Sequence, residues 1–319
     1  MEIKDRIKGA FIGLYFGSGI NPRISPMATS QEAKDEFGDK SFDEVDRDYQ
    51  LYDQHTMSKI VYDMLLRFDK ISPEIFRDYL LELHKKYDVF KGDVYGPSTQ
   101  KAVTKIIAGE DVHQMGRTGI TCGSAMRTLP VAMFFHNDLN KMIENTVGAC
   151  VISHNTNIAI EIAIATNITL MSLINGSSKF EAINEGIQKA KELHGKYGEK
   201  TSEPKAYEKI QSAVDLLKGK TIQEAMQLIP EKVGVSWFAR ETIPGAYANY
   251  TVTDTPQDSS LLAMRCGGDS QTVPEIACAF MGAEKGSDIF PEEFIRKIEE
   301  KNGIKIYDMA DKLIEKLGL

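Results

Sequence analysis

Two short clusters of oxygen-bearing side chains, far apart in the sequence, are the parts of this chain best suited to chemistry. The first holds Asp53 and Gln54, just ahead of an apolar helical pattern. The second holds Asp269, Gln271 and Thr272, which follow a Gly-Gly pair. Hard cations such as Mg²⁺ prefer oxygen ligands at this density, whereas Asp and Thr at a helix start are also typical N-caps. Taken alone, the first cluster favours capping, and the second suggests a cation site.

Two further polar clusters stand at predicted helix starts, and the first is suited to binding an anion. Gly123 and Ser124 form a turn that opens a helix, where backbone N–H groups and the positive end of the helix dipole can face an anion. Arg127 adds a guanidinium that can bind phosphate or carboxylate through two hydrogen bonds. His154 follows Ser153 at the predicted start of another helix. The structural alternatives are a tight turn with a surface salt bridge for the first cluster, and a capping or core-edge histidine for the second.

Helical periodicity dominates the chain and predicts an all-α protein. From Thr56 to Phe68 the apolar residues follow i, i+3, i+4, i+7 spacing. No window shows the sustained alternation with period two that is typical of a strand. Either Ser98 or Thr99 can begin a helix that ends at Gly109. Further helices are predicted at 140–150, 155–174, 178–193, 205–217, 221–228, 272–284, 291–300 and 305–317.

The segment from Gly19 to Val45 is polar and irregular, and it contains two prolines and a further glycine. This composition predicts a long loop. Long loops in compact helical proteins are often lids or binding loops. A plain surface loop is an equally good interpretation, so the sequence leaves both alternatives open.

Composition limits the partners and the compartment. The 319 residues include 38 basic and 46 acidic ones, for a net charge of −8, which argues against sequence-independent binding to nucleic acid or to an anionic membrane surface. No stretch of eighteen uninterrupted apolar residues predicts a membrane span. The four cysteines form no C-x-x-C pair, so zinc and disulfide frameworks are not expected. We therefore expect a cytoplasmic protein with no nucleic-acid or membrane partner.

The order of these motifs along the chain resembles the ADP-ribosylglycohydrolase family. The resemblance rests on five stretches that span nearly the whole chain in the family's order. They are the first helix at 6–14, the Y-G-P-S-T run at 95–99, the G-x-A-M-R-x-x-P loop at 123–130, the S-H step at 153–154, and the Gly-Gly-Asp-Ser-Gln-Thr run at 267–272 with the G-A-x-x-G that follows.

The resemblance implies a single all-α domain over residues 1–319 that hydrolyses a bond between ADP-ribose and an acceptor, commonly with two Mg²⁺ ions. It implies a small ADP-ribose-like ligand, or an ADP-ribosylated acceptor, as the partner. Carried over residue by residue, it implies three sets of site residues. The catalytic pair is Asp53 and Asp269; the metal ligands are Asp53, Gln54, Asp269, Gln271 and Thr272; and the substrate-binding residues are Ser98, Gly123, Ser124, Arg127 and His154.

The chain departs from the family pattern at its metal motifs. Gln54 and Gln271 each stand where the family has Asp, and Tyr52 stands where it has Thr. An acidic residue of the family's first helix is also missing, because the chain has Ser18 there. A neutral amide compensates less than a carboxylate for the dehydration of Mg²⁺, so we expect a weakened metal site.

Two other functions are compatible with this pattern. The first is a pseudoenzyme that binds ADP-ribose or a nucleotide without hydrolysis, which the missing acidic residues favour. The second is a structural role, since jellyfish lens crystallins are similar to this family. The sequence contains no positive sign of the structural role.

Overall fold

A computed structural model describes residues 1–22, 29–86 and 95–319. The protein is all-α, which confirms the predicted fold class: the described residues form sixteen α-helices and no β-strand beyond two isolated bridges. The helices are α1 (Ile3–Ile20), α2 (Ser30–Phe37), α3 (Asp53–Phe68), α4 (Pro73–Lys86), α5 (Pro97–Ile107), α6 (Gly123–Phe134), α7 (Leu139–His154), α8 (Asn157–Ile174), α9 (Lys179–Glu192), α10 (Ala206–Leu217), α11 (Ile222–Leu228), α12 (Ala239–Val252), α13 (Pro256–Cys266), α14 (Thr272–Lys285), α15 (Glu292–Asn302) and α16 (Ile306–Leu317).

The closest helix pair in the core is α1 against α14. Gly9, Gly13 and Gly17 recur every fourth residue along α1, so they lie on one face of the helix. A Cβ atom on any of them would overlap backbone atoms of α14. The two backbones therefore touch directly, and α1 fixes the position of α14, whose N-terminus reaches the candidate site.

The helix α8 forms the most apolar part of the interior. By length and hydropathy it is the one helix in the described parts of the chain that could cross a membrane. However, 94% of this helix is buried inside the protein. That burial is typical of a core helix, and α8 packs against both α6 and α9.

The structure corrects three local predictions. The segment predicted as a long loop includes the end of α1 and all of α2, while its residues 23–28 lie outside the described part. Helices α12 and α13 were not predicted, because Pro244, Gly245 and a high polar content interrupt their apolar period. His154 is the last residue of α7 rather than the start of the next helix, which begins at Asn157.

Candidate active site

A cavity of about 340 Å³ lies where the first turns of four helices meet. The first residues of α3, α5, α6 and α14 all line it. A helix N-terminus carries a partial positive charge and unpaired N–H groups. The cavity is therefore suited to anionic groups, both from the protein and from a ligand. Its lining consists of Asp53, Gln54, Tyr95, Gly96, Pro97, Ser98, Thr99, Gln100, Thr121, Cys122, Gly123, Met126, His154, Trp237, Gly268, Asp269, Ser270, Gln271 and Thr272.

Asp53 is the first residue of α3, a position where the helix dipole stabilises a carboxylate. Its Oδ2 atom approaches the backbone of Gly96 so closely that a Cβ on Gly96 would lie 2.8 Å away. A residue with a side chain at position 96 would push this carboxylate out of place. Gln54 lines the cavity beside it, and no described group hydrogen-bonds to its buried Oε1.

Asp269 enters the same cavity from the turn before α14. Its Oδ1 accepts a hydrogen bond from the Thr272 N–H at 3.1 Å, so it caps this helix. Its own N–H donates to the Val235 carbonyl at 2.8 Å. The preceding Gly268 has φ +67°, and a Cβ there would overlap the Val235 carbonyl. Burial raises the pKa of the Asp269 carboxyl, although these hydrogen bonds act in the opposite direction.

The structure therefore brings together both acidic clusters that the sequence singled out. Gln271 and Thr272 line the cavity with Asp269, and Asp53 and Gln54 line it with them. These are the residues whose joint placement the predicted catalytic and metal-binding roles require.

Cys122 is a cavity residue whose role the sequence analysis missed. Its Sγ donates a hydrogen bond to Asp269 Oδ2 at 3.2 Å. Burial raises the pKa of this thiol well above its usual value, and the charge of Asp269 raises it further. The thiol is therefore protonated at neutral pH, so it serves as a donor to Asp269 and not as a nucleophile. Its position directly before the Gly123 turn was the available signal.

His154 lines the cavity as a neutral ring in a single tautomer. Arg127 Nη2 lies 2.8 Å from Nδ1, and a guanidinium can only donate, so Nδ1 accepts. The ring proton therefore sits on Nε2, which donates to Thr121 Oγ1 at 2.7 Å. Burial, helped by the charge of Arg127, lowers the pKa of His154 well below its usual value.

Two of the predicted substrate-binding side chains lie behind the cavity wall. Arg127 is fully buried, donates to Gly123 and His154, and is absent from the lining. Ser124 is also buried and donates its hydroxyl to the Ala159 carbonyl at 2.9 Å. The direct ligand contacts expected of these two side chains are therefore wrong for this structure, because helix packing turns both inward.

The remaining predicted substrate-binding residues, Ser98, Gly123 and His154, do line the cavity. Gly123 has a clear steric role, since a Cβ there would lie 2.9 Å from His154 Cε1. The glycine thus lets the imidazole ring pack against the first turn of α6.

Glu275, in the first turn of α14, is a fully buried acid that the sequence analysis did not identify. Ser58 Oγ lies 3.3 Å from its Oε1, and its Oε2 has no hydrogen-bond partner. Burial raises the pKa of this carboxyl well above its usual value, and the charges of Asp269 and Asp53 add to the effect. Glu275 therefore holds a proton behind the two cavity aspartates.

We expect Glu275→Gln to stabilise the protein increasingly as the pH rises. The unfolded chain loses the Glu275 proton near pH 4, whereas the folded protein keeps it to a higher pH. The free energy of unfolding of the parent therefore falls as the pH rises between these two pKa values, because folding must keep the Glu275 proton bound. Glutamine does not titrate, so the variant does not lose this stability. Relative to the parent, the variant should gain up to about 1.4 kcal/mol per pH unit above about pH 5, until the pH reaches the folded-state pKa and the gain levels off. Urea unfolding of both proteins from pH 5 to pH 8 measures this difference, and a constant difference would contradict the assignment.

The donor set does not fit the two-Mg²⁺ centre that the family resemblance implies. Among the described residues that line the cavity, two are carboxylates, and both oxygens of one of them, Asp269, already accept hydrogen bonds from protein donors. Glu275, the nearby third acid, lies behind the wall with its pKa raised. Within residues 1–22, 29–86 and 95–319, no group of three His, Cys, Asp or Glu side chains could hold a metal ion.

Comparisons with known proteins agree with this architecture. The ADP-ribosylglycohydrolase family model matches residues 1–318. An uncharacterized protein YegU of Escherichia coli strain K12 is 24% identical over 238 residues, which cover 73% of this chain and 71% of that one. An uncharacterized protein of Archaeoglobus fulgidus is 24% identical over 220 residues, 69% of this chain and 66% of that one. A solved structure described as an ADP-ribosylglycohydrolase-related protein complex has a TM-score of 0.70 at 18% identity, with 99% of each chain covered.

Proposed function

Because the chain belongs to the ADP-ribosylglycohydrolase family, we propose that it hydrolyses the N- or O-glycosidic bond of ADP-ribose or of a related ribosyl compound. The observation that carries this proposal is the shared cavity of Asp53 and Asp269. Glycoside hydrolysis commonly uses two carboxylates beside the scissile bond. Here the two come from distant stretches of chain and face one opening.

The size of the cavity favours a small ribosyl compound over an ADP-ribosylated protein. Ligand cavities usually measure about 300–1,000 Å³, and this one measures about 340 Å³. Such a space suits a ribose with one attached group. The N-termini of α5 and α6, with Ser98, Gly123 and the Thr121–His154 pair, would bind the sugar hydroxyls or a phosphate.

The proposed reaction adds one water molecule to the ribosyl bond. The bond from C1 to the leaving atom breaks, and its electron pair stays with that nitrogen or oxygen. The oxygen of water then bonds to C1 as one of its protons passes to a carboxylate. The carboxylate recovers its charge when this proton passes, through solvent, to the leaving atom. The ring carries positive charge in the transition state, because C1 loses its substituent before water is fully bonded.

The hydrogen bonds of the site suggest how the two carboxylates divide this work. Asp269 is held by Thr272 and Cys122, so it is suited to be a fixed negative charge that stabilises the positive ring. Asp53, which lines the same cavity, is then the base that takes the proton from water. No step in this scheme requires a metal ion.

Release of free sugar from a panel of ribosyl conjugates tests the proposal. The panel includes ADP-ribosyl-arginine, ADP-ribosyl-serine and simple N-ribosides, each assayed with Mg²⁺ and with a chelator. We expect hydrolysis of at least one N- or O-riboside at a rate that the chelator does not change. Absence of turnover on every conjugate, with and without Mg²⁺, would overturn the proposal.

Restoring the acidic residues should raise the affinity of this site for a metal ion. We expect the double variant Gln54→Asp with Gln271→Asp to bind Mg²⁺ at least tenfold more tightly than the parent, because ligand charge largely sets the affinity of an oxygen site. Calorimetric titration with Mg²⁺ measures this change. The matched control is Gln100→Asp, which adds charge at another cavity residue. Equal gains in the double variant and the control would contradict the placement of the ligands.

A binding protein without hydrolase activity is the second candidate. The neutral amides of Gln54 and Gln271 favour it, because both acidic loops have lost a charge while the cavity remains. This alternative predicts saturable binding of ADP-ribose or a nucleotide and no product release. The same panel of conjugates, followed by calorimetry, separates the two functions.

A further inference from the structure

Trp237 is the chain's one tryptophan, and its position in the cavity wall is unusual for so large an apolar side chain. It is 38% exposed, whereas Tyr95, another aromatic residue of the lining, is only 3% exposed. Exposed apolar surface costs about 25 cal/mol per Å² relative to burial. The exposed face of this indole therefore favours contact with an apolar surface of a ligand.

The indole has no cation partner of the kind that covers other exposed or half-buried aromatic rings in the described part of this protein. Lys218 Nζ lies 4.9 Å from the ring centre of Phe180, and Arg240 Cζ lies 4.5 Å from that of Phe238. Among residues 1–22, 29–86 and 95–319, no aromatic ring or cation stacks on Trp237. Its position in the cavity wall and its exposed surface are therefore suited to contact with a planar ligand group.

The backbone around Trp237 is fixed to the reactive end of the cavity. Its carbonyl accepts the Cys122 N–H at 2.9 Å, and Cys122 in turn donates to Asp269. Two residues earlier, the Val235 carbonyl accepts the Asp269 N–H at 2.8 Å. The tryptophan segment is thus hydrogen-bonded to Asp269 itself and to the residue that holds its carboxylate.

This arrangement limits which ribosyl compounds the site can take, provided that the proposed hydrolase function holds. We infer that the substrate is an N-ribosyl heteroaromatic compound, a ribose with a planar base on C1, and that this base stacks on Trp237. A ring bonded directly to C1 would lie beside the carboxylates. The adenine of ADP-ribose is instead separated from the reacting C1 by a diphosphate and a second ribose, which demand a longer site.

Binding at this position can be measured by tryptophan fluorescence, because Trp237 is the one tryptophan of the chain. The full-length protein is titrated with adenosine, uridine and nicotinamide riboside, and separately with ribose and ADP-ribose. We expect at least one nucleoside to change the emission saturably and ribose to leave it unchanged. We also expect that nucleoside to bind more tightly than ADP-ribose.

A substitution separates stacking from simple proximity. Trp237→Leu keeps an apolar side chain but removes the planar ring, and we expect it to weaken nucleoside binding by about tenfold or more in calorimetry. Trp237→Phe should recover part of that loss, and ribose binding should not change in either variant. Phe180→Leu is the matched control, because Phe180 is similarly exposed but does not line the cavity.

The possible failures point to different errors. If no nucleoside changes the emission, or if Trp237→Leu binds the nucleosides as well as the parent, the stacking inference is wrong. Tighter binding of ADP-ribose than of every nucleoside would likewise overturn it. In these cases the proposed hydrolase function still stands if a ribosyl conjugate is cleaved in a reaction that requires Asp53. If no conjugate is cleaved, the hydrolase function is wrong, whatever the result for Trp237.

Discussion

Asp53→Asn is expected to lower the rate of ribosyl hydrolysis by about 10³-fold, within the usual contribution of a general base. Asparagine has the shape of aspartate but cannot take a proton from water. The first turn of α3 and the contact with Gly96 should tolerate the change, because no atom is added. Product release from the conjugate that the parent cleaves best measures the effect. A loss in the turnover number, with binding of the conjugate kept, is the expected signature.

Asp63→Asn supplies the matched control for this result. Asp63 lies in the same helix, but it pairs with Lys59 at 2.6 Å and does not line the cavity. We expect its turnover to match that of the parent, because surface ion pairs contribute little. Equal losses in both variants would show that α3 is merely sensitive to substitution. A fully active Asp53→Asn would remove Asp53 from the mechanism.

Gly13→Ala is expected to destabilise the core strongly. The new Cβ would overlap the Cys278 carbonyl. This backbone carbonyl cannot relieve the overlap by changing rotamer, as a side chain could. Overpacking a rigid core costs about 1–3 kcal/mol and occasionally more, so we expect a loss of about 3 kcal/mol in the free energy of unfolding. Urea denaturation with a spectroscopic readout of helix content measures it.

Gly245→Ala is the counterpart that should behave in the opposite way. Gly245 also lies inside a helix, α12, but a Cβ there would lie 3.7 Å from Val273 and 3.9 Å from the Gly234 carbonyl, both ordinary contacts. Alanine favours a helix over glycine by about 1 kcal/mol, so this variant should be as stable as the parent or slightly more stable. Similar losses in the two variants would contradict the backbone contact between α1 and α14.

Much of the fold follows from the sequence because helical period is a local signal. The pattern that predicts α3 continues without interruption from Thr56 to Phe68, and the structure only extends it back to Asp53. The prediction fails at α12, where Pro244 and Gly245 break the pattern. There, contacts from the rest of the protein decide the conformation, and a single sequence contains no direct record of them.

In the candidate site, too, local motifs could be predicted and contacts between distant helices could not. Asp53 and Asp269 could be identified because each belongs to a compact polar motif. The inward direction of Arg127 could not, since it depends on the ring of His154, which belongs to another helix. Glu275 offered one neglected signal: it is the one charged residue in the otherwise apolar stretch 273–283, next to Pro274 and Ile276. Such an acid is often buried and has a raised pKa.

The glycine face that joins α1 to α14 also bears on the order in which the chain can assemble. The two helices are separated by about 250 residues of sequence. During synthesis, α1 emerges long before the helix that its glycines fit, so its mostly apolar surface must be shielded by provisional contacts or by chaperones. The acidic loop around Asp269, which leads into α14, can take its final position only after this late pairing. Catalytic competence should therefore be among the last properties that a refolding chain recovers.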